Sequence, residues 1–227
     1  MGRWLKRLML LALGLMLAVQ LWFFGHVLFW NFYNPAQTSF MSLRLAELQE
    51  KNPKAALKHR WVPYERISVH LKRAVVAAED DGFVDHDGFD WEGIQRALEK
   101  NQKKGKVVAG GSTISQQLAK NLFLSPSKSY LRKIEEAIIT LMIETVMSKR
   151  RILEVYLNVV EWGNGVFGAE AAAQRYYGVS AAQLGPSQAA HLAVMLPNPR
   201  KYETRFGPRQ QAHANSVMGR MANSDVP

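Results

Sequence analysis

The sequence contains no cysteine among its 227 residues. It can therefore form no disulfide bond and no thiolate-ligated zinc or iron–sulfur site. Acidic residues are also few relative to basic ones, with 19 Asp and Glu against 29 Lys and Arg, and the formal net charge is +10. Such an excess predicts an anionic partner, which is a nucleic acid, a membrane surface or a phosphorylated substrate. Composition does not choose among these three.

Charged residues are absent between Arg7 and Arg44. Within this stretch, Leu8–Trp30 is a run of 23 residues in which Gln20 and His26 are the clearly polar side chains. A bilayer core is crossed by about 20 residues of helix, so the run is long enough to span it. A cleaved signal peptide would have an apolar region of about 7–15 residues. Because the run is longer and ends in several aromatic residues, which suit a membrane interface, we predict an uncleaved anchor.

Basic residues in the first seven positions indicate the orientation of this anchor. Arg3, Lys6 and Arg7 precede the run, and the next basic residue is Arg44. The positive-inside rule then predicts a cytoplasmic N-terminus and a domain on the opposite side, which is the periplasm in a bacterium with two membranes. The predicted organisation is a tail at 1–7, a transmembrane anchor at 8–30, a linker at 31–39 and one domain at 40–227.

Alternating apolar and polar residues, which would indicate strands, are also missing over any useful length, and the domain is predicted to be mainly α-helical. Helical periodicity is found in the segments 67–78, 91–100, 112–123, 130–147, 151–160, 169–177 and 187–196. The segment 130–147 is apolar on nearly all sides beyond Ala137. This pattern predicts a helix in the middle of the domain.

Acidic residues are concentrated in the segment 79–90, which begins with Glu79 near the end of a predicted amphipathic helix. A solvated acidic turn is the ordinary interpretation. A calcium loop is excluded, because aligning Gly88 with its glycine places an aromatic residue at the first ligand position. Apolar surface beside a carboxyl raises its pKa by desolvation and suits acid–base chemistry. The acids of this segment are interrupted and followed by the aromatic residues Phe83, Phe89 and Trp91.

Two glycines at 110 and 111 precede a predicted helix with a polar face. Ser112 and Thr113 can cap this helix, and its N-terminus can receive an anion. The polar side chains that share one face of the helix are Gln117, Lys120 and Asn121. A single lysine on such a face, beside a glycine-rich turn, predicts a pyrophosphate or sugar site. An ordinary capped surface helix is an equal alternative.

A third group lies at the start of the segment 130–147. Arg132 and Glu136 are one helical turn apart and can form an ion pair. Glu136 shares its face with Ile139 and Ile143, and a buried carboxylate needs such a partner. A structural ion pair is the ordinary interpretation. The functional interpretation places Arg132 and Lys133 against a phosphorylated leaving group.

Taken in order, these segments resemble the motifs of the peptidoglycan glycosyltransferases, family 51 of the glycosyltransferases. The segment 79–90 resembles the first motif, E-x-x-x-F-x-x-H-x-G, and Arg132–Glu136 resembles the third. Gly110–Asn121 resembles the second motif, G-G-S-T-I-[ST]-Q-Q-L-x-K-N. Lys149–Asn158 resembles the fourth, K-x-x-I-L-E-x-Y-L-N, and Glu170–Tyr177 the fifth. The resemblance covers residues 40–199.

This resemblance implies a lysozyme-like helical domain that polymerises lipid II, an undecaprenyl-pyrophosphoryl disaccharide-pentapeptide, into glycan strands for bacterial cell-wall synthesis. Undecaprenyl pyrophosphate is released. By the same resemblance, Glu79 is the general base for the 4-hydroxyl of the acceptor sugar, and Glu136 is a second catalytic carboxylate. The implied substrate-binding residues are Ser112, Thr113, Gln116, Gln117, Lys120, Asn121, Arg132 and Lys133. Implied partners are the growing glycan chain, the membrane and other cell-wall synthesis or division proteins. A divalent cation, Mg²⁺ or Mn²⁺, is implied as cofactor, although no ligand set is recognisable.

The main alternative is a membrane-bound enzyme that cleaves glycan, either a hydrolase or a lytic transglycosylase. Cations near Glu136 favour the departure of a charged pyrophosphate, whereas a hydrolase protonates a sugar leaving group with a carboxylic acid. A basic, membrane-tethered scaffold or nucleic-acid binder is the non-enzymatic alternative, and no known nucleic-acid-binding motif supports it. We therefore predict a single-pass inner-membrane glycosyltransferase with no nucleic-acid partner.

Overall fold

A computed structural model describes residues 2–106, 110–127 and 129–227, and the chain is mainly α-helical as predicted. Its α-helices are α1 (Arg3–Phe32), α2 (Ser39–Lys51), α3 (Val69–Glu79), α4 (Trp91–Lys104), α5 (Ile114–Phe123), α6 (Tyr130–Val146), α7 (Lys149–Val159), α8 (Ala169–Tyr177), α9 (Pro186–Met195), α10 (Pro199–Tyr202) and α11 (Pro208–Arg220). Short 3₁₀ helices lie at Tyr64–Arg66, Ala181–Gln183 and Met221–Asn223. The strands are β1 (Lys58–His59), β2 (Glu161–Gly163) and β3 (Val166–Phe167).

Hydroxyl side chains explain where several helices begin, because they accept hydrogen bonds from backbone N–H groups that the first turn leaves without partners. The residues that cap α3, α5, α6 and α7 in this way are Ser68, Thr113, Ser129 and Ser148. At α5 the cap is reciprocal, since the Gln116 side chain accepts from the backbone N–H of Thr113. Gly178 ends α8 with a φ of +66°, a conformation that glycine adopts without strain.

Two groups of helices form the core of the domain. In one group α3 packs on α9 and α11, and in the other α5 packs on α2, α6 and α7. Apolar residues of α3, including Leu71 and Val75, and nearly all of α7 from Ile152 to Val159 are buried. The small sheet has the strand order β1-β3-β2, with β1 parallel and β2 antiparallel to β3. The end of α3 and the start of α5 meet where the backbone N–H of Ile114 donates to Asp80.

The predicted central position of α6 is wrong. Ile139 and Ile143 are fully buried, but Leu131 is 80% exposed, Ile134 58% and Leu141 53%. The helix packs on α5 and α1, and the described part of the chain leaves this outer apolar face open. Apolar composition all round a helix predicts an apolar surrounding, but it does not distinguish protein from lipid.

The N-terminal helix α1 is long and apolar enough to cross a membrane, with 30 residues and an 18-residue stretch whose mean hydropathy is 2.1. Most of its side chains are exposed, which is the arrangement expected of a helix covered by lipid. Its second half contacts the domain. The ring of Phe23 packs edge-on against Phe123 at the end of α5, with 5.1 Å between centroids. The side-chain amide of Gln20 donates to Glu135 of α6 at 2.8 Å.

Candidate active site

Glu79 is the last residue of α3, and its carboxylate lies where α3, α5 and α7 meet. Gln117 on α5 donates from Nε2 to Glu79 Oε2 at 2.7 Å. The hydroxyl of Tyr156 on α7 donates to Gln117 Oε1 at 2.9 Å. An ionised carboxylate can only accept hydrogen bonds, so it faces the donor end of Gln117, and the Tyr156 hydroxyl holds the acceptor end.

Burial raises the pKa of Glu79, opposed by the Gln117 hydrogen bond and the positive charge of Lys120, whereas the neighbouring charge of Asp80 adds to the increase. This is the direction expected from the sequence, but the aromatic residues contribute differently. Phe83 is buried in the core, whereas Trp91 is 73% exposed and stacks on Phe89. A carboxylate with a raised pKa accepts a proton more readily, as a general base requires.

A cluster of cations surrounds the second predicted carboxylate. Arg132 contacts Glu136 Oε2 at 2.5 Å, and the Lys133 ammonium contacts Oε1. Glu136 is buried, as the shared face with Ile139 and Ile143 predicted. Burial lowers the pKa of Lys120, while the negative charge of Glu136, and less strongly that of Glu79, acts in the opposite direction. Lys120 is therefore within electrostatic reach of both carboxylates. We call the three cations Lys120, Arg132 and Lys133, together with the carboxylate of Glu136, the cation cluster.

Two open cavities lie on either side of the Glu79–Gln117 pair. The first, here called the Glu79 cavity, has a volume of about 230 Å³ and is lined by Glu79, Ser112 and Thr113 among others. The second, the Lys120 cavity, has about 180 Å³ and is lined in part by Gln117, Lys120 and Asn121. The polar face predicted for α5 thus opens into one cavity, while the predicted base opens into the other. A ligand that extends through both would pass Glu79.

Of three predicted binding residues at the start of α5, one is exposed and two are buried. Ser112 is exposed and accepts a hydrogen bond from Lys133 at 3.3 Å, which connects the cation cluster to the Glu79 cavity. Thr113 and Gln116 are both buried, and their side chains bond each other's backbone N–H groups. Their positions maintain the start of α5, and their direct contact with substrate remains a prediction.

Other polar residues around the site were not identified from the sequence. Asp80 accepts from the backbone N–H of Ile114 at 2.9 Å, although 34 positions separate the two residues. Tyr156 lies in the fourth motif, but its hydrogen bond to Gln117 depends on how α7 crosses α5. Their place within the motif segments was the only feature of the sequence that could have pointed to these residues. Their long-range contacts are set by the packing of the helices.

Among the residues that the structure describes, no group of three or more His, Asp or Glu side chains is placed to hold a metal ion. Both carboxylate oxygens of Glu136 already contact Arg132 and Lys133. Within the described part of the chain the side chains thus form no metal site of their own, and the implied Mg²⁺ or Mn²⁺ remains a prediction.

These features define a mainly helical chain with one helix long and apolar enough to span a membrane, and with Lys120 of the cation cluster within electrostatic reach of the Glu79 carboxylate. The profile of the family described as transglycosylase matches residues 45–222. The chain is 71% identical over 225 residues to the biosynthetic peptidoglycan transglycosylase of Azoarcus sp. (strain BH72), covering 99% of this chain and 97% of that protein. It is 68% identical to the protein of the same name from Aromatoleum aromaticum, covering 97% and 96%. It is 65% identical to that of Dechloromonas aromatica, covering 100% and 99%. The chain belongs to the transglycosylase family, which has a lysozyme-like helical fold.

Proposed function

We propose that this glycosyltransferase joins the disaccharide units of lipid II with Glu79 as general base and the cation cluster as the site of the leaving pyrophosphate. Membership of the family makes the chain an enzyme that polymerises peptidoglycan glycan strands at the membrane. The observation that supports the division of roles is the position of Glu79, which lies between a cavity lined by its own carboxylate and a cavity lined by Lys120.

The acceptor sugar is activated on the Glu79 side. Because Gln117 bonds Oε2 of Glu79, we assign the proton transfer to Oε1, which takes the proton of the acceptor 4-hydroxyl. The hydroxyl oxygen then attacks the anomeric carbon of the donor sugar as the bond from that carbon to pyrophosphate breaks. A positioned base of this kind contributes about 10²–10⁴-fold to the rate.

The donor pyrophosphate departs on the side of the cation cluster. The leaving group already carries negative charge, so positive side chains assist its departure and no general acid is required. Glu136 holds Arg132 and Lys133 in place through both of its oxygens. In this role Glu136 orients the cations that meet the pyrophosphate.

Replacement of the two carboxylates tests this assignment. Glu79→Gln keeps the shape and removes the base, so we expect polymerisation of purified lipid II to fall at least about 100-fold. Glu136→Gln should give a smaller, clear loss, since the cations remain. Glu50→Gln, at an exposed position on α2, is the matched control and should retain full activity. Full activity of Glu79→Gln would refute the base assignment. Wild-type turnover of Glu136→Gln would show that Glu136 is only a structural ion-pair partner of Arg132 and Lys133.

The same assay separates polymerisation from glycan cleavage. Purified protein is incubated in parallel with lipid II and with preformed glycan strands. We expect chain growth from lipid II and no shortening of preformed glycan. Cleavage of glycan without polymerisation would instead support the hydrolase or lytic transglycosylase alternative.

The orientation of the anchor is part of the proposal. Arg3, Lys6 and Arg7 before the apolar run support a cytoplasmic N-terminus and a periplasmic catalytic domain. Since the chain lacks cysteine, single cysteines at Gly2 and Glu50 can be labelled in intact cells with a maleimide that does not cross the inner membrane. Labelling at 50 and not at 2 is expected, and the reverse would invert the orientation.

We also propose contacts with other cell-wall synthesis or division proteins, which crosslinking from position 50 in cells would capture.

A further inference from the structure

A closed ring of hydrogen bonds joins the end of α3 to the start of α5. The backbone N–H of Gly88 donates to His86 Nδ1 at 3.1 Å, and His86 Nε2 contacts Asp80 Oδ1 at 2.8 Å. The other oxygen of Asp80 accepts from the backbone N–H of Ile114 at 2.9 Å. The ring closes where the Thr113 hydroxyl donates to the carbonyl of Gly88 at 2.7 Å. We call this group the His86 ring.

The ring determines how Glu79 lies relative to its hydrogen-bond partner. Asp80 follows Glu79 directly, and Ile114 begins the helix that carries Gln117. Asp80 and Thr113 are both buried, so water has little access to these bonds. A shift of α3 against α5 would change the 2.7 Å contact between Glu79 and Gln117. Small displacements of a catalytic group cost up to about 100-fold in rate.

The ring specifies one protonation state of His86. A backbone N–H can only donate, so Nδ1 must carry a lone pair and the proton of the neutral ring lies on Nε2, where it is donated to Asp80. A doubly protonated ring has no acceptor left for Gly88. Adding a proton to His86 therefore opens the ring at Gly88, while the contact with Asp80 persists.

The charged groups that face His86 come from three elements. They are Asp80 after α3, Glu144 on α6 and Lys149 at the start of α7, whose ammonium contacts the His86 carbonyl and lies 2.8 Å from Glu144. Burial disfavours the charged imidazole, but the hydrogen bond and charge of Asp80 outweigh it, and the pKa of His86 is raised above 6.5. Protonation of the ring is therefore favoured by these surroundings relative to a free imidazole.

We propose that His86 is a positioning residue that, in its neutral form protonated at Nε2, holds Glu79 in register with Gln117, and that its protonation at Nδ1 releases Gly88 and slows glycosyl transfer. The inference rests on the proposed role of Glu79. It adds the protonation of His86 to that of Glu79 as a cause of lost activity on the acidic side of the pH–rate profile. It also gives a role to the histidine of the first motif.

Kinetics across pH test the proposal with two variants. His86→Gln keeps an amide donor for Asp80 and lacks the acceptor for Gly88, whereas His86→Asn keeps an acceptor near Nδ1 and loses the reach to Asp80. For the wild type we expect two successive losses of kcat as the pH falls. Both variants should show a single loss and have kcat about 10- to 100-fold below the wild type at high pH. A His86→Gln enzyme with wild-type kcat and both transitions would overturn the proposal.

Nuclear magnetic resonance of the wild-type chain supplies a test that needs no variant to fold. With ¹⁵N-labelled histidine in detergent micelles, the ring nitrogens of His86 should show protonated Nε2 and unprotonated Nδ1 at high pH. The Gly88 amide should shift with the same midpoint as His86. A proton on Nδ1 at high pH, or a Gly88 amide that does not respond, would overturn the ring. Because this readout does not depend on Glu79, a failed base assignment and a failed ring are distinguishable.

Discussion

At the scale of single residues, the buried carboxyl of Glu79, the proposed base, is expected to cost stability. Burial raises the pKa of its carboxyl in the folded chain above the ordinary value of 4.5. The folded state then binds this proton more tightly than the unfolded state, so stability decreases as the pH rises from 4.5 through the raised pKa. Glu79→Gln should unfold at a higher temperature than the wild type at neutral pH, and this difference should disappear below 4.5. Equal melting temperatures at neutral pH would contradict the burial of a charged Glu79.

Gln117 offers a second prediction at this scale. Its amide stabilises the charged form of Glu79, so Gln117→Leu should raise the pKa of Glu79 further. Because the base must be deprotonated, the acidic limb of the kcat/KM profile should move to higher pH. Tyr156→Phe keeps Gln117 and removes only the hydroxyl that bonds its amide oxygen. We expect this variant to move the acidic limb in the same direction, but by less. An unchanged limb in Gln117→Leu would show that this contact does not tune the base.

At the scale of secondary-structure elements, Arg151 attaches the anchor helix to the domain. Its guanidinium, at the start of α7, donates to the carbonyls of Trp30 and Tyr33 and to the side chain of Asn34, at 2.8 to 3.0 Å. These groups lie at the end of α1, where helix carbonyls lack partners within the helix. Arg151 therefore caps α1 from another element.

Arg151→Ala should release the end of α1. We expect a loss of about 1.5–3 kcal/mol of stability and faster hydrogen exchange in the segment 31–38. Arg150→Ala is the matched control, because Arg150 is exposed and pairs with Glu65 instead of α1. An exposed ion pair contributes about 0–1 kcal/mol, so this control should change little. Similar exchange rates in the two variants would show that Arg151 does not hold the anchor.

The elements were largely predictable from the sequence, and their contacts were not. Helical periodicity and hydroxyl caps are local features, so α5 and its cap at Thr113 follow from neighbouring residues. The pair between Arg132 and Glu136 is also local, one turn along α6. The bond from Ile114 to Asp80 joins the start of α5 to the residue that follows α3. It depends on how the fold brings these two helix ends together, which no residue pattern specifies.

At the scale of the whole molecule, the open apolar face of α6 lies beside the anchor helix. α6 packs against α1, so the exposed Leu131, Ile134 and Leu141 belong to a surface that continues from a helix able to span the membrane. Fully burying one such side chain is worth about 1.5–3 kcal/mol. This face therefore has a strong driving force to enter the bilayer, and we expect its insertion to bring the cation cluster, at the start of the same helix, close to the lipid surface.

Insertion of this face can be measured on the full chain, because the absence of cysteine allows one labelled site at a time. A polarity-sensitive dye on Ile134→Cys or Leu141→Cys should report an apolar environment in phospholipid vesicles. The same dye on Ala182→Cys, an exposed position of the 3₁₀ helix after α8, should remain in water. If the α6 labels are as hydrated as the one at 182, this face lies outside the bilayer. Catalysis would then require lipid II to be lifted from the membrane to reach Lys120 and Glu79.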